Sequence, residues 1–267
     1  MSTTSSTSAR AEQDWREWHE RRAAEIALPY GPLALTATHW LADFPDGRLD
    51  GVPGHWTQDG DAVVLRASAA DGLTVAGAPL DGAERLGPDG APATARVAHE
   101  GRRLPVLRRE GQWAVRVFDP GSEARRTFGG IDVFPYDEDW VRPGLFRPYG
   151  AGRTVQVPNA DGQQRGLGLA GELAFTLDGD EHTLQVAVEA DGTLWAVLAD
   201  TTSGTDSYRF RFLRTPAPAA DGTVPVDLNR TLLPPCAFAD HFICPFPPPG
   251  NTLPFALRAG ERNRLAR

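Results

Sequence analysis

From Ala9 to Leu28 the chain repeats its apolar and long side chains with helical spacing. Trp15, Trp18, Arg22 and Ile26 fall at i, i+3, i+7 and i+11, which puts both indoles on one face and leaves Glu17, Glu20 and Arg21 mostly elsewhere. This predicts an amphipathic helix that docks its tryptophans on the rest of the domain, the alternative being a helix offered to a partner. Pro29 ends it. Upstream, residues 1–8 are Ser- and Thr-rich without apolar partners and read as a disordered tail. The apolar stretch Gly31 to Leu41, with Leu33, Leu35, His39 and Trp40, is too short and too closely flanked by Gly and Pro to assign.

After it the period changes to two. Trp113, Val115 and Val117 share one face and Ala114, Arg116 and Phe118 the other; Leu184, Val186 and Val188 alternate with Gln185, Ala187 and Glu189; Tyr208, Phe210 and Phe212 alternate with Arg209 and Arg211. Ten Asp-Gly pairs, beginning at Asp46, Asp50, Asp59, Asp71, Asp81, Asp89, Asp161, Asp178, Asp191 and Asp221, supply the positive φ of tight hairpin turns. Pro143, Gly144, Pro148, Gly150 and Gly152 interrupt the pattern over residues 137–153, read as a long connection inside one domain. The expected fold is mainly β: an antiparallel barrel or sandwich with an N-terminal amphipathic helix, residues 9–267 forming a single domain.

The segment Val226 to Glu261 departs from both periods. Pro234, Pro235, Pro245, Pro247, Pro248 and Pro249 exclude helix and central-strand pairing, while Phe238, Phe242, Phe246 and Leu253 would be costly to leave in water. An ordered, irregular, Pro-rich C-terminal segment is expected, closing as a rigid lid over a hollow built by the sheet.

Composition narrows the chemistry. All 27 basic residues are arginines, so a Schiff-base, phosphate-loop or general-base lysine is excluded. With 35 acidic residues the formal charge is −8, which argues against a nucleic-acid partner. No run approaches the roughly 18 apolar residues of a membrane span, and Met1 to Arg10 lacks a signal-peptide core. A cytoplasmic location is expected, where Cys236 and Cys244 are thiols rather than a structural disulfide. A homodimer is left open.

The C-terminal segment resembles the bacterial family catalogued as domain of unknown function 1684. The resemblance rests on Asp227, Asn229, Pro234, Pro235, Cys236, Cys244, Pro245, Pro247, Pro248, Asn251, Ala259, Gly260 and Glu261. It extends through Arg109, Arg116, Asp119, Phe128, Gly129 and Phe134, and through Asp200, Thr201, Gly204, Ser207 and Tyr208. Leu233 stands where the family often has Asn before Pro-Pro-Cys, and Phe210 where it often has Gly before Arg. The resemblance implies no particular reaction.

Several patterns bear on chemistry. Cys236, His241 and Cys244 form C-x4-H-x2-C, three ligand types for zinc, but the spacing is not that of a zinc finger and a fourth donor such as His39, His182 or Asp240 would be needed, so no metal and no cofactor are assigned. Gly166, Gly168 and Gly171 form G-x-G-x-x-G ahead of a strand-like run rather than a helix, so they fail the dinucleotide context. The candidate catalytic groups are Cys236, as a thiol nucleophile, with His241 or Glu261. The candidate ligand contacts are Arg116, Arg126, Asp200, Tyr208, Arg211, Asn229 and Asn251, since converging guanidiniums bind carboxylate or phosphate. The functional expectation is a protein with a pocket for an anionic small molecule, either binding or catalytic; the alternative is a non-catalytic interaction or structural β module.

Overall fold

The structure is a computed structural model that describes residues 2–267, with side chains from residue 8 onward. Most of the tail expected over residues 1–8 therefore lies outside the residues whose side chains are described. The chain divides into two compact units: Ala24–Phe128, and Gly129–Arg267 together with the chain up to Ala23. Helix α1 (Ser2–Ile26) carries the expected face: Trp15 and Ile26 are buried and Trp18 and Arg22 half-buried. It docks on its own chain, where the Trp15 indole N–H donates to the Asn229 carbonyl at 2.8 Å.

In the unit Ala24–Phe128 the strands are β1 (Leu35–Trp40), β2 (His55–Asp59), β3 (Ala62–Ala67), β4 (Leu73–Val75), β5 (Ala78–Pro79), β6 (Gly82–Leu86), β7 (Val97–His99), β8 (Arg102–Arg103), β9 (Val106–Arg109) and β10 (Gln112–Phe118), followed by the short α2 (Glu123–Arg126). The unassigned stretch Gly31 to Leu41 is thus largely strand β1. One sheet runs β1-β10-β8-β7-β4-β5 with β9 also on β10, and a second runs β2-β3-β6. Trp56, Leu65, Trp113 and Val115 lie in their common core. Ala114 and Phe118 are buried too, so β10 is covered on both faces.

The other unit contains β11 (Phe128–Val133, beginning at the last residue of the first unit), β12 (Val141–Pro158), β13 (Gln164–Leu177), β14 (Asp180–Val188), β15 (Leu194–Leu198), β16 (Arg211–Thr215), β17 (Thr223–Asp227) and β18 (Glu261–Ala266). Strands β12 to β16 form a meander and β17 returns to the free side of β12, giving the order β16-β15-β14-β13-β12-β17. The ends of this path, β16 and β17, approach within 8 Å between Cα atoms, so the sheet curls into a partly closed antiparallel barrel. Strands β11 and β18 pair separately. The fold is mainly β, as expected.

Two local features differ from the sequence reading. The connection expected over residues 137–153 is in large part the beginning of β12. Pro143 lies opposite Pro225 of β17; because the Phe146 N–H reaches the Gly222 carbonyl, alternation along the ladder places both prolines where no N–H is needed between these strands. The hollow expected beneath the Pro-rich segment is filled: Leu253, Leu257 and Ala259 of that segment pack with Leu173, Phe175, Leu184, Val186 and Leu213 of the sheet. Among the described residues, no helix is long and apolar enough to cross a membrane.

Candidate functional site

The segment that follows β17 is held by buried polar side chains directed at its backbone. Arg211 belongs to the polar register of β16, opposite in direction to Phe210 and Phe212, yet it is 0% exposed. Its Nη2 meets Asp200 Oδ2 at 2.8 Å and donates to the Leu257 carbonyl at 2.8 Å; Nη1 donates to the carbonyls of Ala259 at 2.6 Å and Glu261 at 3.2 Å. Burial acts to raise Asp200, but the Arg211 charge and hydrogen bonds from Thr202 outweigh it and leave the carboxyl below its usual value.

Two of the buried asparagines, Asn251 and Asn229, imitate peptide groups. Pairing between β14 and β15 is limited to Ala187 with Trp195 and Val188 with Leu194. Where that ladder has ended, Asn251 Nδ2 donates to the carbonyls of Gln185 and Val197, both at 2.9 Å, and its Oδ1 accepts from the Gln185 N–H at 2.8 Å. Asn229 likewise donates to the Asp137 carbonyl at 2.9 Å and accepts from the Asp137 N–H at 3.2 Å. Glu261 and Arg22 bracket one residue: Glu261 Oε2 accepts from the Leu233 N–H at 2.6 Å, Arg22 Nη2 donates to the Leu233 carbonyl at 3.1 Å, and Arg22 Nε meets Glu261 Oε1 at 3.3 Å. Burial raises the Glu261 carboxyl against the opposing pull of Arg22. Gly260, at φ +77°, brings the backbone so close that a Cβ would lie 2.5 Å from the Thr231 carbonyl oxygen.

The bracketed residue leads directly into Pro234, Pro235 and Cys236, and here the polar groups are not all turned to the backbone. Cys236 and Cys244 are free thiols, each 5% exposed, packed with Val197, Phe210 and Phe212. The Cys236 N–H donates to Cys244 Sγ at 3.4 Å. The half-buried Tyr208 hydroxyl donates to the Cys236 carbonyl at 3.2 Å and lies 3.7 Å from its sulfur. A side-chain hydrogen bond from Cys244 to the Cys236 sulfur, separate from that N–H contact, is the largest influence on the Cys236 thiol; with smaller contributions from Tyr208 and Arg209 it outweighs burial and lowers the thiol to about 7. Burial, with the adjacent Cys236, raises Tyr208. Arg209, exposed, stacks over Phe246 with its guanidinium carbon 4.7 Å from the ring centroid.

The family described as protein of unknown function (DUF1684) matches residues 126–262, just over half of the chain. The chain belongs to this family. The thiol pair, Tyr208, Arg211 and Glu261 all fall inside the DUF1684 match, whereas Arg109, Arg116 and Asp119 lie before it. An uncharacterized protein of Haloarcula marismortui, solved in solution by NMR, is 30% identical over an alignment covering 51% of this chain and 77% of that one, with a TM-score of 0.43. No curated protein matches the chain.

The remaining candidates are distributed differently. Half-buried Arg116 is in β10, and exposed Arg126 is in α2, where it donates to the Gly121 carbonyl; both are in the unit Ala24–Phe128, and the thiol pair is in the other. His241 is exposed, three residues before Cys244. Among the described residues, no group of three or more His, Cys, Asp and Glu side chains is placed to hold a metal ion. A concavity of about 620 Å³ opens between Val141–Gly144 and Thr223–Pro225, lined by none of the candidate residues. Arg209, beside Tyr208 in sequence, was not among the candidates; alternation marked it as a strand arginine, but only the fold brings Phe246 beneath it.

Proposed function

We propose that this DUF1684 protein acts through its thiol pair, with Cys236 as the attacking thiolate and Cys244 as the resolving thiol in reversible thiol–disulfide exchange with a small molecule. The observation that carries this reading is the contact of Cys236 with Cys244, its N–H on the partner sulfur at 3.4 Å, beside the Tyr208 hydroxyl. A thiolate is the reacting species, and a thiol lowered toward neutrality supplies it. The Cys236 thiolate attacks one sulfur of a disulfide RSSR, forms a mixed disulfide and releases RS⁻. Cys244, having given its proton to solvent, attacks the Cys236 sulfur, closes the Cys236–Cys244 disulfide and releases the second RS⁻. The dithiol loses two electrons and RSSR gains them.

The test is mass spectrometry of the native reduced protein after incubation with bis(2-hydroxyethyl) disulfide. The expected product is two hydrogen masses lighter, and Cys244→Ser is expected to stop at the mixed disulfide on Cys236. Unmodified protein after prolonged exposure would contradict the reading. That outcome would favour the second reading, a non-catalytic β module, which has its own support: Asp200, Arg211, Asn229, Asn251 and Glu261 all bind protein groups.

A further inference from the structure

Arg209 differs in one respect from most arginines of its unit, sharing it with Arg153, which lies over the Tyr149 ring. In the same unit Arg211 meets Asp200, Arg214 meets Glu189, Arg230 meets Asp227, Arg258 meets Asp206 and Arg262 meets Asp132. Among the described residues Arg209 meets no carboxylate. Its guanidinium is instead held by aromatic faces, 4.7 Å from the Phe246 centroid, 5.5 Å from Phe210 and 5.6 Å from Tyr208. Stacking of this kind fixes the plane of a guanidinium; part of its edge hydrogen-bonds Tyr208 and Cys236, and because Arg209 is exposed the rest of its five donors can meet an incoming anion. The fixed charge stands next to the Tyr208 hydroxyl that touches Cys236.

We infer that the reaction partner of the Cys236–Cys244 pair is an anionic disulfide, a carboxylate-bearing small molecule whose acid group docks on Arg209 while its sulfur is presented to Cys236. The inference rests on the thiol reading above and names its substrate class. It also moves the anion contact expected from the sequence away from Arg116, Arg126 and Arg211 to a residue that is exposed and has no internal acid partner. A bidentate guanidinium–carboxylate contact would set the orientation of the disulfide before exchange. Exchange itself proceeds as written above: one S–S bond of the substrate breaks, one protein disulfide forms, and the substrate leaves as two thiols.

The test compares second-order oxidation rates of reduced wild type and Arg209→Gln with three probes: oxidised glutathione (anionic), bis(2-hydroxyethyl) disulfide (neutral) and cystamine (cationic). Taking the ratio of wild type to variant for each probe removes the intrinsic reactivity of the probe and exposes the contribution of the arginine. The expected result is a loss with oxidised glutathione about tenfold greater than with the neutral probe, whose own smaller loss reports the arginine's part in lowering the Cys236 thiol, and the least loss with cystamine. Arg209→Lys should retain part of the preference, as a point charge without the planar fork. Equal losses with all three probes would overturn the inference and leave Arg209 a positioning residue for the thiolate, with the thiol reading intact. No oxidation of the wild type by any probe would overturn the thiol reading and this inference together.

Discussion

Arg211 shows how much a single side chain can depend on context that sequence does not display. Alternation with Phe210 and Phe212 places it on the polar face of a strand, and the usual fate of such a residue is solvent. Here that face is covered by residues 257–261, and the guanidinium becomes the donor set for their carbonyls as well as the partner of Asp200. Arg211→Met would leave a buried carboxylate without its countercharge, a loss of about 3–5 kcal/mol. Urea unfolding should show a large drop in midpoint, and a midpoint within experimental error of wild type would contradict the hub role. Because Asp200 is held below its ordinary value, its part of the stability is complete above the usual carboxyl range and is lost as pH falls through the lowered one. The asparagines and Glu261 were legible as unusual residues; their partners, backbone groups far along the chain, were not.

Among the elements, α1 and the alternating strands were readable because their periods are local. So were many turns: Asp178 and Gly179, both at positive φ, form the two-residue connection between β13 and β14. Other hairpins use Ala76-Gly77, Glu100-Gly101 and Glu110-Gly111 with both residues at positive φ, a conformation usually reserved for Asn, Asp or Gly at the first position, so these turns carried no signal. Strand β12 was hidden because Pro143 reads as a breaker until Pro225 is placed opposite it. The glycines of β13 fit the same explanation. At Gly171 a Cβ would lie 2.4 Å from the Phe146 ring and 2.6 Å from the Arg147 carbonyl, whereas nothing lies within 4 Å at Gly168. Gly171→Ala should therefore lower stability by about 1–3 kcal/mol, while Gly168→Ala stays within about 0.5 kcal/mol of wild type. Equal melting temperatures for the two variants would refute this packing argument.

For the molecule as a whole, the residues that carry the family resemblance separate into two groups. Asp200, Asn229, Asn251, Gly260 and Glu261 fasten an irregular, proline-stiffened segment whose inner side is packed core rather than the wall of a cavity. Cys236, Cys244 and Tyr208 are what that fastening positions, since Leu233, gripped by Arg22 and Glu261, opens directly into Pro234, Pro235 and Cys236. Sequence pointed to the cysteines and the tyrosine individually. Their convergence depends on the chain returning past β16, which no local pattern encodes. The proposed exchange chemistry depends on the pairing of the two thiols, and its most direct test is the pH dependence of iodoacetamide labelling of the Cys236 peptide in the native protein. A midpoint near 7, moving toward the ordinary thiol value of about 8.5 in Cys244→Ser, is the expected result; a midpoint at or above the ordinary value in both proteins would contradict it.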